Sequence, residues 1–125
     1  MNTIVKSVGA ILLAAVVGLP SSAMADSSNK IKVKSKVNLK VGQAMIVHGR
    51  RGSCGKLPTK AELSASKSDI DAALTTGHVV FGKPGVRKSG ACGGWTPVYE
   101  TIFVADKPGR ETVKIHGDSV RIFVK

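Results

Sequence analysis

The chain has 125 residues, with 19 Lys and Arg against 8 Asp and Glu, so its formal net charge is +11 at neutral pH. This length predicts one domain with a modest core, and the few scattered acids argue against the paired carboxylates of glycoside hydrolases. The basic charge favours an anionic partner, such as an acidic envelope component or an acidic protein, although it also serves solubility.

The first 25 residues have the pattern of a secretory signal peptide. Lys6 precedes an uncharged apolar run, Val8–Leu19, and the small residues Ala23 and Ala25 form a cleavage signal. We therefore expect residues 1–25 to be removed and residues 26–125 to form a single domain. That domain has no predicted membrane span, and its predicted location is the periplasm or the extracellular medium.

Two cysteines, Cys54 and Cys92, lie in the predicted mature chain. An exported chain meets an oxidising compartment, so an even cysteine count predicts one disulfide between them. Each cysteine lies in a glycine-rich loop, Gly49–Lys56 for the first and Ser89–Pro97 for the second. The disulfide is expected to bring these two loops together.

A strict alternation begins at Lys30 and ends at Val41. Lysines occupy the even positions 30, 32, 34, 36 and 40, and apolar residues occupy the odd positions 31, 33, 37, 39 and 41. This period predicts a half-buried strand. The lysines either protect a sheet edge from pairing with other chains, which we favour, or form a cationic stripe for a polyanion.

The remaining elements are predicted from alternation and turn residues. Ala44–His48 is a second strand, a short helix covers Ser68–Gly77 with Ser68 as its N-cap, and His78–Phe81 is a third strand. Residues 82–90 are predicted to be a loop.

The last 29 residues are predicted to form a three-stranded antiparallel meander, with Gly117 and Asp118 in its hairpin turn. Together these elements predict a small immunoglobulin-like antiparallel β-sandwich of six or seven strands.

No motif of a known catalytic mechanism is present, so we expect a protein that is not an enzyme and needs no cofactor. His48, His78 and His116 each lie at a strand end without the spacing of metal ligands. We expect them to be solvated and the chain to hold no metal. Trp95 and Tyr99 are too few aromatic side chains for a nucleic-acid stacking platform.

The candidate binding residues surround the predicted disulfide: Arg50, Arg51, Lys56, Arg87, Lys88 and Trp95. Arginine presents a planar fork that matches carboxylate and phosphate. Trp95 either packs in the core over the disulfide or is an exposed anchor for a partner. These residues predict an exported binding module for an anionic partner.

The G-x-R-G-x-C-G loop, the later C-G-G loop and the ending K-P-G-R-E-T-V-K-I-H-G-D resemble those of small exported proteobacterial proteins of unknown function. The ending is also similar to that of bacterial immunoglobulin-like modules, which implies a β-sandwich. More remotely, the chain resembles chagasin-type inhibitors of cysteine peptidases, with G-A-C-G-G in place of their G-x-G-G loop. That resemblance implies an alternative function, a loop-presenting inhibitor of a hydrolase.

Overall fold

The computed structural model of the chain describes residues 26–125. The predicted signal peptide, residues 1–25, lies outside the described residues. The described chain forms β1 (Lys36–Leu39), β2 (Ala44–Arg51), α1 (Lys60–Ala73), β3 (Gly77–Ser89), β4 (Gly94–Ala105), β5 (Gly109–Ile115) and β6 (Asp118–Val124). Within this range no helix is long and apolar enough to cross a membrane.

The six strands form two three-stranded sheets, in the orders β1-β6-β5 and β2-β4-β3. Alternate side chains of both sheets are buried in one core, which includes Val37, Val79, Phe103, Ile115 and Ile122. The predicted β-sandwich is therefore confirmed. One pairing departs from an all-antiparallel arrangement, since β1 runs parallel to β6 with Val37 opposite Ile122.

The predicted meander is wrong, because its three strands are divided between the two sheets. β5 and β6 form an antiparallel hairpin, whereas β4 pairs with β2 and β3. Between β4 and β5 the chain changes sheets, and the backbone N–H groups of Asp106 and Lys107 both donate to the carbonyl of Thr76 there. Alternation shows that a strand is half-buried, but it does not show which sheet the strand joins.

The β5–β6 turn lies one residue earlier than predicted. Ile115 pairs with Asp118, so the two turn residues are His116 and Gly117, with φ of 50° and 89°. Two successive positive φ values are typical of the type I′ hairpin turn, which matches the twist of the flanking strands. Glycine adopts the second of these without a steric cost, and histidine tolerates the first.

The predicted helix begins too late. α1 starts after Thr59, whose hydroxyl accepts from the N–H of Glu62 while the Glu62 carboxylate accepts from the N–H of Thr59. This reciprocal capping box fixes the helix start, so Ser68 lies inside the helix and is not its N-cap. The helix ends at Ala73, and Gly77 already belongs to β3.

The first predicted strand is shorter than its alternation suggests, because only Lys36–Leu39 form a named strand. Before it, Lys30 bridges to Val86 on β3, and the N–H of Lys34 donates to the carbonyl of Val47 on β2. The segment thus passes from one outer strand of the β2-β4-β3 sheet to the other.

Most of the predicted loop over residues 82–90 is strand. β3 continues to Ser89 past an irregularity between Phe81 and Pro84, and the carboxylate of Glu100 accepts from the N–H of Lys83 there. Pro84 is tolerated because β3 is an outer strand of its sheet. This extension places Arg87 on a strand.

Candidate anion-binding site

The predicted disulfide between Cys54 and Cys92 is confirmed. It joins the loop after β2 to the turn between β3 and β4, with the two Cα atoms 5.5 Å apart. A hydrogen bond of 3.1 Å from the N–H of Gly55 to Oγ1 of Thr96 reinforces the same connection. The ends of β2, β3 and β4 are therefore held together.

All three arginines among the candidate residues line one open cavity of about 300 Å³ near this end of the sheet. Arg50 and Arg51 come from β2, and Arg87 comes from β3. Ser66 of α1 and His116 of the β5–β6 turn complete the lining. All five side chains are partly buried, so their orientation is set by packing.

The two β2 arginines are held by neutral oxygen atoms. Nε of Arg50 donates to Oγ of Ser66 at 2.6 Å, and its Nη1 donates to the carbonyl of Arg51. Nη1 of Arg51 donates to the carbonyl of Gly52 at 3.0 Å. These bonds orient the guanidinium groups without neutralising their charge.

Arg87 reaches the same cavity because Gly49 has no side chain. Nε of Arg87 donates to the carbonyl of Gly49 at 2.9 Å, and its Nη1 donates to the carbonyl of Lys88. A Cβ atom at Gly49 would lie 2.6 Å from Cγ2 of Val98 and 3.3 Å from Cδ of Arg87. This glycine is therefore required by a close approach of side chains.

The cavity has an excess of positive charge. Among residues 26–125, the contacts within 4 Å between a basic and an acidic side chain are His48 with Asp118, Lys67 with Asp71 and His78 with Asp106, so none involves the three arginines. Burial lowers the pKa of Arg87, and the positive charge of Arg51 lowers it further. The negative charge of Asp118 has the opposite, smaller effect. Each guanidinium carries five N–H donors, and within the described chain none uses more than two on protein acceptors.

His116 forms one wall of this cavity and is mostly buried. Its Nε2 lies 2.9 Å from Oγ1 of Thr101, and its ring stacks near that of Phe81 with 6.3 Å between centroids. Burial is the main reason that its pKa is lowered to about 3. The charges of His48, Arg50 and Arg87 also lower this pKa, whereas the charge of Asp118 raises it. At neutral pH the ring is therefore uncharged.

The expectation of three solvated histidines is wrong for His48 and His116. His48 is fully buried, its Nε2 lies 2.7 Å from Oδ2 of Asp118, and its ring meets that of His116 edge to face at 4.9 Å. The β5–β6 turn folds back towards Thr101 on β4, which brings the ring of His116 against that of His48. His78 is half-exposed, where it pairs with Asp106.

No group of three or more His, Cys, Asp or Glu side chains within residues 26–125 is arranged to hold a metal ion. The paired rings of His48 and His116 have other partners. Gly49 donates its N–H to Nδ1 of His48 at 2.8 Å, and Asp118 and Thr101 lie at the Nε2 atoms of the two rings.

The other three candidate residues lie outside the arginine cavity. Lys56 is exposed in the turn that contains Cys54. Lys88 and Trp95 are opposite each other on β3 and β4, and Lys88 lines a separate cavity at the hairpin end. Paired residues of an antiparallel ladder share a face, whereas the neighbouring Arg87 lies on the opposite face.

Trp95 is 54% exposed, so the core alternative for this side chain is wrong. The ammonium group of Lys30 lies 5.8 Å from the centroid of its ring. Gly93 and Gly94 precede it with φ of 72° and 154°, as expected for a glycine pair that needs positive φ. The hairpin end thus presents an aromatic side chain to solvent.

Sequence reasoning missed Ser66 and His116 as cavity residues. Ser66 was missed because the helix that carries it was predicted to begin two residues after it. For His116, the following glycine was a signal of a hairpin turn with positive φ, but nothing local indicated that this turn packs against β4.

Comparison of the chain with protein-family models, curated proteins and solved structures finds no match.

Proposed function

We propose that this chain is an exported, non-enzymatic binding protein that recognises an anionic partner through Arg50, Arg51 and Arg87. The partner is an acidic envelope component or an acidic protein. The observation that supports this proposal is the convergence of three guanidinium groups on one open cavity without a carboxylate paired to any of them in the described chain.

The donor set favours an oxyanion. Guanidinium groups bind phosphate, sulfate and carboxylate through two parallel N–H bonds, and the hydroxyl of Ser66 adds a further polar group to the wall. A volume of about 300 Å³ lies at the small end of ligand pockets. We therefore expect the cavity to hold one anionic group of a larger partner.

Two features support the location proposed for this activity. A disulfide is typical of chains in oxidising compartments, and residues 1–25 have the pattern of a signal peptide. The proposed setting is the periplasm or the extracellular medium.

The test uses the mature chain and its Arg50→Ala, Arg51→Ala double variant. Inorganic phosphate and sulfate are the probes, and binding is measured by calorimetry and by the rise in melting temperature at low salt, where ionic contacts are strongest. A ligand at 100 times its Kd stabilises the folded state by about 2.7 kcal/mol. We expect this stabilisation in the wild type and its loss in the double variant.

A matched control removes two exposed cations elsewhere, with Lys60→Ala and Lys83→Ala. This control should bind both anions like the wild type. Equal binding by the wild type and the arginine double variant would remove the cavity from the site and refute the proposal.

A second function, a loop-presenting inhibitor of a hydrolase, is supported by the exposure of Trp95 beside the disulfide-linked hairpin. Tight, salt-tolerant, one-to-one binding to a peptidase that Trp95→Ala abolishes and the arginine double variant retains would favour it. Salt-sensitive binding that needs the arginines would favour the first function.

A further inference from the structure

A second basic surface covers the outer face of the β1-β6-β5 sheet. On these strands the buried residues alternate with exposed ones, and Val37, Val113 and Ile122 are among those that face the core. The residues between them therefore point away from the core. Four of the outward residues are cations: Lys36, Arg110, Lys114 and Arg121.

The strand register places two of these cations side by side. Lys36 on β1 is opposite Arg121 on β6, and Arg121 is opposite Thr112 on β5. Like charges directly opposite each other on neighbouring strands are unfavourable. The fold therefore keeps two like charges next to each other, one on the outer strand β1 and one on the central strand β6.

An aromatic ring lies beside these charges. Asn38, Phe123 and Arg110 form the next row across the three strands. The guanidinium carbon of Arg110 lies 4.8 Å from the centroid of the Phe123 ring. Stacking on an aromatic ring orients a guanidinium group while its N–H edge stays free to donate.

The one acidic residue of β5 offsets only part of the positive charge of this face. Glu111 follows Arg110 on β5, but its carboxylate accepts from the N–H groups of Thr75 and Thr76 and from the hydroxyl of Thr76. These bonds lower the pKa of Glu111 despite its partial burial. The carboxylate is thus held towards the segment between α1 and β3 and keeps its negative charge, against the three cations Lys36, Arg110 and Arg121 in the same cavity wall.

The face is concave. A cavity of about 450 Å³ has walls from all three strands, including Lys36, Arg110, Arg121 and Phe123 together with Glu111. Adjacent strands are about 4.8 Å apart, and outward residues along one strand are about 6.6 Å apart. The Cα atoms of the cations are therefore separated by distances of this order, and they lie in more than one row of the sheet.

We propose that the outer face of the β1-β6-β5 sheet binds an acidic polysaccharide that carries carboxylate or sulfate groups on successive sugars. A row of separated cations suits a partner whose charges repeat, whereas a single small anion would engage only one or two of them. Nucleic acid is a poorer match, because Phe123 is the one aromatic ring in the cavity wall and Arg110 stacks on it. This surface shares no residue with the arginine cavity, and the proposal does not depend on that site.

The test compares the mature wild type with the variant Lys36→Gln, Arg110→Gln, Arg121→Gln. The probes are polygalacturonate, dextran sulfate and a single-stranded oligothymidylate, each titrated at several salt concentrations. The matched control, Lys60→Gln, Lys83→Gln, Lys107→Gln, removes the same charge from exposed positions that do not line this cavity.

We expect the wild type to bind at least one of the two polysaccharides more tightly than the oligothymidylate, with an affinity that falls as salt rises. The outer-face variant should lose about tenfold in polysaccharide affinity, since three exposed ionic contacts are removed. The control should stay within about twofold of the wild type. Circular dichroism and the melting temperature check that each variant is folded.

Equal losses in the outer-face variant and the control would overturn the proposal, because they would show a dependence on net charge alone. Tighter binding of oligothymidylate than of both polysaccharides would overturn the choice of partner. The outer-face variant retains Arg50, Arg51 and Arg87, so it should bind inorganic phosphate like the wild type if the arginine cavity is an anion site. Phosphate binding by this variant therefore tests the first proposal, and its polysaccharide binding tests the second.

Discussion

Replacing Gly49 with alanine tests how the arginine cavity is held together. The new Cβ atom would lie 2.6 Å from Cγ2 and 3.0 Å from Cβ of Val98, and 3.3 Å from Cδ of Arg87. Val98 is fully buried and branched at Cβ, so it has little freedom to move away. We expect the strain to separate β2 from its neighbours locally and to displace Arg87 from the carbonyl of Gly49.

The size of the effect follows from the packing. Adding a methyl group to a close-packed site costs about 1–3 kcal/mol. For a domain of this length, each kcal/mol lowers the melting temperature by roughly 4–8 °C. Gly49→Ala should therefore melt between about 5 and 20 °C below the wild type, and its affinity for phosphate should fall because one of the three guanidinium groups is misplaced.

Thermal unfolding followed by circular dichroism measures the first effect, and calorimetric titration with phosphate measures the second. Gly90→Ala is the control, because a Cβ atom added at Gly90 would meet no other atom within 4 Å and the residue needs no positive φ. The control should match the wild type in both assays. A Gly49→Ala protein with wild-type melting temperature and phosphate affinity would refute the close-approach reasoning.

Three further predictions concern the disulfide, the buried histidine and the lysine segment. Replacing Cys54 and Cys92 with serine opens a loop of 38 residues, which should lower the free energy of unfolding in urea by about 4 kcal/mol; an unchanged urea midpoint would contradict this. Burial lowers the pKa of His116 in the folded protein to about 3. Between pH 6 and pH 4 the ring is therefore protonated in the unfolded chain but not in the folded one. His116 should thus make the free energy of unfolding fall by about 1.4 kcal/mol for each pH unit from pH 6 towards pH 4. His116→Asn, which tolerates positive φ, should flatten that slope, and an identical slope in both proteins would contradict it. Replacing the exposed Lys32 and Lys34 with threonine should change stability by less than about 0.5 kcal/mol and increase aggregation measured by light scattering; unchanged solubility with lost polyanion binding would assign these lysines to recognition.

The features that the sequence predicts well are those set by local patterns. Alternation of apolar residues indicates half-buried strands, as in Val120, Ile122 and Val124, and two cysteines in a chain that begins with a predicted signal peptide indicate one disulfide. Both follow from rules that need no knowledge of the partner strand. The sandwich architecture and the pairing of Cys54 with Cys92 were therefore predictable.

The features that the sequence predicts poorly depend on contacts between distant residues. β3 continues through a Gly- and Pro-rich stretch because Glu100 on β4 accepts the N–H of Lys83, which supports the irregular backbone. The end of α1 is followed by Thr75 and Thr76, whose N–H groups are bound by Glu111 from β5. Neither acceptor is visible from the local sequence.

The composition of the candidate site also depends on contacts that the local sequence does not show. Distance along the chain from the cysteines groups Arg87 with Lys88, but successive residues of a strand point to opposite faces. The structure accordingly places Arg87 opposite Thr96 and Lys88 opposite the exposed Trp95. Which of the two joins Arg50 and Arg51 depends on the strand register, and the irregularity after Phe81 shifts that register.

The way in which the arginines are held bears on what the cavity can do. Carboxylate partners would fix the guanidinium groups and also cancel their charge, whereas the carbonyls of Gly49, Arg51 and Gly52 and the hydroxyl of Ser66 fix them without cancelling it. The cations therefore repel one another in the unliganded protein. The disulfide and the bond from Gly55 to Thr96 hold the strand ends against this repulsion. An anion in the cavity would remove the repulsion without rearranging the donors, which is the arrangement expected of a preorganised anion site.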